Sequence, residues 1–374
     1  MGKNRNQTAL TLGLVLSVAA LVFPAAQAIG ANHPNIVVIM TDDQRADEAA
    51  LAMPDTLTLI ADQGIRFTDS IVHAPLCAPS RASFLTGQYA HNHGVLANQT
   101  PYGYPVLDHS NTLAVWLQAA GYHTIFVDKY INGYGDENPF EIPPGWSDWR
   151  AAMTLSYYQY LVNFNGVLSQ YGTEPQDYRT DVMADQAVAA IEEAPADQPY
   201  FLWLATMAPH EDLCDTCGDE PTAAPRHIGA FDDWVPVTNP PSFNEEDVSD
   251  KPAYISTQAM LNKADQLALL HKERKRMESL LAVDDLVESV VNAVAARGDL
   301  EETVFVFTSD NGYMMGEHRI DNYFKKVPYE ESLRVPLYVR GPGIPPGTTN
   351  TQLVSNHDLA GTIAALAEAT PGLT

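Results

Sequence analysis

Five short runs of branched and apolar residues restrict most strongly what this chain can become. They are Asn35–Thr41, Thr124–Val127, Tyr200–Thr206, Thr303–Thr308 and Val335–Val339. Each is continuously apolar rather than alternating, as buried parallel strands covered on both faces should be. Helical patterns lie between them. Asn111–Ala120 can be capped by Asn111 and closed by Gly121. Asp177–Glu193 opens on an acidic turn, and a long helix is expected over roughly 265–297, with Leu281, Val287, Val291 and Val294 inward and Gly298 as its stop. Strands alternating with helices predict an α/β fold, a mostly parallel central sheet with helices on both faces. No internal repeat breaks that pattern.

The 374 residues allow one large domain or two ordinary ones, at ~100–200 residues per domain. With 45% apolar residues a packed core is assured. Acids outnumber bases 47 to 21, a formal charge of −26, which excludes a nucleic-acid binder with a basic face. A few lysines and arginines can still hold an anion in a local pocket. At the front, Lys3 and Arg5 precede an apolar stretch from Ala9 to Phe23, then Pro24 and Ala26-Gln27-Ala28. This reads as a signal peptide over residues 1–28, cleaved after Ala28, since the stretch falls short of the ~20 residues that span a bilayer. Residues 29–374 are then the mature domain, secreted or periplasmic and without a membrane segment.

Ligands of open α/β sheets bind beyond the carboxyl ends of the strands. The residues just past each run are therefore informative: Asp42-Asp43-Gln44, Asp128-Lys129, Ala208-Pro209-His210 and Ser309-Asp310-Asn311-Gly312. Alone, each resembles an ordinary turn. Together they deliver carboxylates, an amide, an ammonium and an imidazole to one edge, a donor set suited to calcium or magnesium rather than zinc. The most specific segment runs from Cys77 to Gly87, Cys-Ala-Pro-Ser-Arg-Ala-Ser-Phe-Leu-Thr-Gly. Pro79 fits the first turn of a helix with Cys77 just before it, where free N–H groups favour an anion. On cysteine statistics alone, Cys77 would be an ordinary buried thiol.

Cys-x-Pro-Ser-Arg followed by Leu-Thr-Gly resembles the signature of the type I sulfatases, whose cysteine is oxidised to formylglycine. The resemblance extends from about Pro34 to Asp358 and includes Lys325 before Tyr329-Glu330-Glu331. Ala120–Thr124, Lys129–Asn132 and Ser279–Glu288 are similar to the N-acetylglucosamine-6-sulfatase branch. It implies the alkaline-phosphatase-like sulfatase fold over residues 29–374, with a smaller C-terminal subdomain expected beyond the helix at 358–369 and apparently missing from this chain. It implies one Ca²⁺ held by Asp42, Asp43, Asp310, Asn311 and an oxygen of residue 77. It also implies a formylglycine diol at Cys77, activated beside Arg81, that forms a covalent sulfo-enzyme. Lys129 and Lys325 would stabilise sulfate oxygens, and His210 would protonate the departing alcohol. The partners implied are a sulfated sugar, such as 6-sulfated N-acetylglucosamine in glycans, and a formylglycine-generating or equivalent maturation enzyme.

One position departs from the family. Many members carry a histidine two residues after the lysine of the second strand, and this chain has Ile131. His318 is then a candidate base for the last step. Among weaker signals, Cys214-Asp215-Thr216-Cys217 reads as a local disulfide rather than half a zinc site, and His91 and His93 as pocket candidates. Asp284 and Asp285 read as structural or solvated, residues 271–276 as an exposed basic helix face, and the Pro-rich segment 211–252 as a rim beside the site. The rival functions are a phosphodiesterase or phosphonate hydrolase of the same superfamily, and an inactive glycan-binding relative.

Overall fold

Asn35–Thr41, buried at every position, forms the first strand, β1, and the others are added around it. The computed structural model describes residues 33–214, 218–321 and 325–372, so the expected leader at 1–28 lies outside the described residues. After β1 come β2 (Ile65–Phe67), β3 (Ser70–Ile71), β4 (His123–Lys129), β5 (Asp148–Ala152), β6 (Leu161–Phe164) and β7 (Val167–Gln170). The remaining strands are β8 (Tyr200–Ala205), β9 (Thr303–Ser309), β10 (Leu337–Arg340), β11 (Thr348–Asn350) and β12 (Val354–Ser355). Ten of them make one sheet in the order β11-β2-β10-β9-β1-β8-β4-β5-β6-β7, while β12 pairs with β3.

The five strands β9, β1, β8, β4 and β5 are mutually parallel and form the centre. Alternate side chains serve two cores. Val37, Ile39, Leu202 and Leu204 pack against helices Arg179–Glu193 and Lys263–Arg297. Ile36, Val38, Phe201 and Trp203 pack on the other side, against helices Cys77–Thr86, Leu113–Ala119 and Asp358–Leu366. Both faces are covered, which is why these strands carry no polar alternation.

The structure departs from the sequence expectation at several elements, and it adds the short strands β2, β3, β6, β7, β11 and β12. Residues 335–339 are not a parallel strand: β10 runs antiparallel to β9. Asp310, just past β9, and Lys325, ahead of β10, both lie at the carboxyl edge of the sheet beside Asp43, so the next strand starts from that edge. The helix expected from Asn111 begins at Leu113 behind an extended Thr112. Asn111 instead accepts from Trp116 Nε1 (2.8 Å) and donates to the Gly372 carbonyl (2.8 Å). Strand β5 lacks a continuous apolar run because Asp148 and Arg150 interrupt it, yet both are buried in an ion pair of 2.7 Å. The long helix starts at Lys263, where Asn262 and Asp265 form a reciprocal capping box, and stops at Gly298 in the left-handed region (φ 85°). Among the described residues no helix is long and apolar enough to cross a membrane.

Candidate active site

The carboxyl ends of β1, β4, β8 and β9 converge, and helix Cys77–Thr86 brings its first residue to the same place. The loop after β1 is fixed through its backbone. Asp42 N donates to the Ala208 carbonyl (3.2 Å), Asp43 N to Asp310 Oδ1 (3.0 Å), and Asp310 N to the Thr41 carbonyl (3.0 Å). Gln44 braces the loop rather than joining the centre: Thr41 Oγ1 donates to its Oε1 (2.7 Å), and its own N–H donates to Ser309 Oγ (2.9 Å). The turn after β9 needs glycine, because a Cβ on Gly312 would lie 2.1 Å from the Glu331 carbonyl oxygen.

The signature helix begins at Cys77 itself, one position earlier than the sequence suggested, with an extended Leu76 as N-cap. Pro79 sits in its first turn, where no intrahelical N–H is lost. The Ala78 N–H donates to Asn98 Oδ1 (3.0 Å). Cys77 is fully buried. Its Sγ lies 3.4 Å from Asp42 Oδ1 and 3.0 Å from Lys325 Nζ. Burial pushes its thiol up to about 12, against the pull of Lys325.

Asp42, Asp43 and Asp310 place carboxylate oxygens within 4.8 Å of one another, all buried. Cations answer them. Lys129 Nζ donates to Asp42, and Lys325 Nζ to Asp43. Arg81 Nε donates to Asp310 Oδ2 (2.7 Å), Nη2 lies 3.4 Å from Asp42 Oδ2, and Nη1 donates to the carbonyls of Lys129 and Tyr130. Burial pulls Lys325 down, but Asp43, Cys77 and Asp310 outweigh it and its pKa is raised, whereas burial holds Lys129 well below the usual lysine value. Asn311 Nδ2 donates to Asp43 Oδ1 (2.6 Å). Asp43 Oδ2 and Asn311 Oδ1 are buried with no hydrogen-bond partner among the described residues. Two orphaned oxygens amid three carboxylates fit a hard cation that takes oxygen ligands.

His210 follows β8. Its Nδ1 lies 2.8 Å from the Glu211 carbonyl, which can only accept, so Nδ1 carries a proton and Nε2 faces Asp43 Oδ2 at 3.9 Å. Burial, with Lys129 and Lys325 nearby, holds its pKa well below the usual histidine value.

The cluster thus unites Asp42, Asp43, Cys77, Arg81, Lys129, His210, Asp310, Asn311 and Lys325. It does not gather every candidate. His318 Nδ1 pairs with Glu245 (2.6 Å) and its ring packs on Tyr329. His93 lies behind the signature helix, 2.9 Å from Ser83 Oγ, and His91 stacks on Tyr89. Ile131 is buried in the apolar core and supplies no proton acceptor. Asp284 accepts from the Asp55 and Thr56 N–H groups (2.9 and 2.7 Å), and Asp285 pairs with Arg226 (2.6 Å). Cys214 is disulfide-bonded; Cys217 lies outside the described residues. In the Pro-rich segment, Trp234, Val237 and Phe243 line a cavity of about 600 Å³ together with Arg45, two residues past Asp43.

The run 271–276 is not an exposed face. Lys272 and Arg276 are buried, at 8% and 1% exposure, because acidic groups from other elements face them. Arg276 bonds Glu48 at 2.6 and 2.9 Å and the Asp43 carbonyl at 2.6 Å. Lys272 Nζ donates to Tyr313 Oη (3.0 Å) and lies 3.6 Å from Glu211. Arg179 is a second support that sequence reasoning missed. It bonds Asp128 Oδ1 (2.6 Å), whose backbone is left-handed (φ 84°) immediately before Lys129. Its place at the start of an acidic-turn helix was the only signal in the sequence.

A family model described as Sulfatase matches residues 34–369. The chain is 37% identical over 354 residues to human N-acetylglucosamine-6-sulfatase, covering 91% of this chain and 62% of that protein. It is 34% identical to a Drosophila melanogaster homologue of an extracellular sulfatase, covering 88% of this chain and 29% of that protein. The chain therefore spans less than two thirds of the length of these relatives. A solved structure of a protein in complex with its substrate D-glucosamine-2-N,6-O-disulfate superposes with a TM-score of 0.69 at 23% identity, covering 90% of this chain and 77% of that one. That likeness establishes a shared fold.

Proposed function

The chain belongs to the sulfatase family, and from that premise we propose that it hydrolyses sulfate esters of sugars, with 6-sulfated N-acetylglucosamine in glycans as the favoured class. The observation that carries this reading is the convergence of Cys77, Arg81, Lys129, His210 and Lys325 on three buried carboxylates. We further assign residues 1–28 as an export leader, with the mature chain acting outside the cytoplasm.

Asp42, Asp43, Asp310 and Asn311 would hold one Ca²⁺, which when bound offsets the clustered carboxylates and polarises sulfate oxygens. Formylglycine made from Cys77 by a maturation enzyme would, as its hydrate, supply the oxygen nucleophile. The unmodified thiol suits the role poorly, since burial keeps it protonated. The chain's own groups do the remainder. Arg81 sits at the base of the site and fixes Asp42 and Asp310 relative to the helix that carries residue 77. Lys129, beside Asp42, and Lys325, beside Asp43 and Cys77, would bind the sulfate oxygens and hold the group in line for attack. His210 presents Nε2 to the centre while Glu211 holds its Nδ1–H, so Nε2 is bare in the neutral ring and would have to gain a proton first before passing it to the leaving alcohol.

The test is a comparison of kcat/KM on aryl sulfate, aryl phosphate and N-acetylglucosamine-6-sulfate, using calcium-loaded protein whose residue 77 is shown by mass to be converted. Preference for the sulfates supports the reading. Preference for the phosphate ester would replace it with the phosphodiesterase or phosphonate hydrolase alternative, and no turnover of any ester would favour a glycan-binding role.

A further inference from the structure

We propose that the buried Glu211 side chain is a positioning residue: held by Lys272 and Tyr313, it fixes the carbonyl that aims the His210 ring at the leaving group. The inference rests on the sulfatase reading above and adds a side chain which that reading leaves unused.

His210 is restrained in two ways. Its backbone is held without Glu211: His210 N donates to the Met207 carbonyl (3.0 Å), and the His210 carbonyl accepts from Tyr157 Oη (2.9 Å). Among the described residues its ring makes one hydrogen bond, from Nδ1–H to the Glu211 carbonyl (2.8 Å). That bond decides which nitrogen carries the proton and which faces the centre. Where the imidazole points therefore depends on where the Glu211 carbonyl stands.

Two anchors hold that carbonyl. The peptide that carries it is tied, at the Asp212 N–H, to the Glu220 carbonyl (3.1 Å), in a surface segment where Glu220 pairs with the exposed His271 (3.1 Å). The buried anchor is the Glu211 carboxylate, on a residue only 6% exposed. Its Oε2 accepts from Tyr313 Oη (3.3 Å) and lies 3.6 Å from Lys272 Nζ. Lys272 Nζ in turn donates to Tyr313 Oη (3.0 Å) and lies 5.1 Å over the Tyr313 ring. The three residues come from the segment after β8, from helix Lys263–Arg297 and from the turn that follows Asn311. Tyr313 is itself pinned, its N–H donating to the Glu331 carbonyl (2.8 Å). The carboxylate thus sets the neighbour of His210 against the loop that carries Asp310 and Asn311.

Stability alone does not account for this arrangement. Burial pushes the Glu211 carboxyl up and the Lys272 ammonium down, so each resists the charge that pairing needs. A buried ion pair is weak support for a fold, and apolar side chains of similar volume often serve it as well. What they would not supply is direction, which a carboxylate held from two sides does.

The experiment reads the same variants in two ways. Calcium-loaded protein with residue 77 converted is assayed on N-acetylglucosamine-6-sulfate and on nitrophenyl sulfate. A sugar alkoxide needs a proton as it leaves and nitrophenolate does not, so a misaimed His210 depresses the sugar substrate more. Glu211→Ala should lower the ratio of the two kcat/KM values at least about tenfold, part of the ~10²–10⁴ that a general acid contributes. Glu211→Gln keeps an acceptor for Tyr313 and should hold the ratio within about threefold of the parent. Separately, NMR of the full chain labelled at histidine follows the Nδ1–H proton of His210, assigned by its absence in His210→Gln. It should be protected from exchange in the parent and lost in Glu211→Ala. Lys272→Met should move both readouts in the same direction, so it decides the matter should Glu211→Ala fold poorly. Equal losses on the two esters, or an Nδ1–H signal that persists in Glu211→Ala or is missing from the parent, would overturn the proposal. Should the parent hydrolyse no ester, the sulfatase reading falls and the Nδ1–H signal still decides the anchor; should both esters be hydrolysed with an unchanged ratio in the variants, the anchor falls and the sulfatase reading stands.

Discussion

Replacing Arg276 by methionine probes what the long helix does for the site. Arg276 and Glu48 form a two-pronged pair at 2.6 and 2.9 Å, and both side chains are 1% exposed. The same guanidinium reaches the Asp43 carbonyl at 2.6 Å and the Pro209 carbonyl at 3.5 Å, and lies 4.9 Å over the Tyr313 ring. Methionine preserves most of the apolar volume and removes the charge. Glu48 would keep its bond from the Arg45 N–H (2.8 Å) and only the more distant Arg45 guanidinium, already shared with Glu317 and Asp47, as a nearby positive charge. Breaking such a pair from one side costs about 3–5 kcal/mol, a large fraction of the ~5–15 kcal/mol that stabilises a typical domain. Urea unfolding followed by tryptophan fluorescence reads this directly. Glu48→Leu combined with Arg276→Met removes both charges and should recover at least ~1 kcal/mol of the loss. Because Arg276 tethers the Asp43 and Pro209 carbonyls, kcat/KM should also fall, roughly ten- to hundredfold, and stay low in the double variant. A loss under ~1 kcal/mol for Arg276→Met, or a double variant less stable than the single, would refute this reasoning.

Glu273, on the same helix, has its pKa raised to about 7 by burial, with Glu48 and Asp47 adding and Arg45 opposing. A carboxyl raised above its unfolded value contributes stability at low pH that is lost as pH rises through about 7, so Glu273→Gln should gain ~1–3 kcal/mol at pH 8 and little at pH 5. A melting-temperature difference that is flat between those pH values would contradict the assignment. Asp310→Ala should abolish calorimetric calcium binding, and saturating calcium should raise the melting temperature of the parent chain but not of the variant. Equal calcium stabilisation of both would remove Asp310 from the metal site. Cys77→Ser should react with aryl sulfate at most once, accumulating sulfate on residue 77 by intact mass, because serine lacks the second hydroxyl needed to expel it; sustained turnover would show the diol to be unnecessary.

The site's constellation was legible because its members directly follow apolar strands, and the position after a strand is fixed by the sheet rather than by distant packing. Cys77, Lys325 and Arg81 came from a signature, which carries its own spacing. The supports were not legible for the opposite reason. Lys272 and Arg276 lie in a charge run that resembles any solvated helix face, and only Glu211 and Glu48, remote in sequence, turn it inward. Asp128 stood out as a residue just past a strand, but its pairing with Arg179 was hidden for the same cause. In the fold, the parallel centre followed from uninterrupted apolarity. The direction of β10 could not, since it depends on where the chain waits between two strands.

Every residue of helix Cys77–Thr86 is buried, and this bears on the order of events in biosynthesis. The maturation enzyme proposed above would have to reach the Cys77 thiol, and in the finished fold Cys77 and the rest of its helix are buried. On that proposal, conversion would belong to the interval before the helix packs onto the sheet. The yield of active protein would then be a kinetic quantity, the ratio of the oxidation rate to the folding rate. A molecule that folded first would be sealed with its thiol. Slower folding, which usually lowers the yield of a protein, would here raise the fraction that is converted.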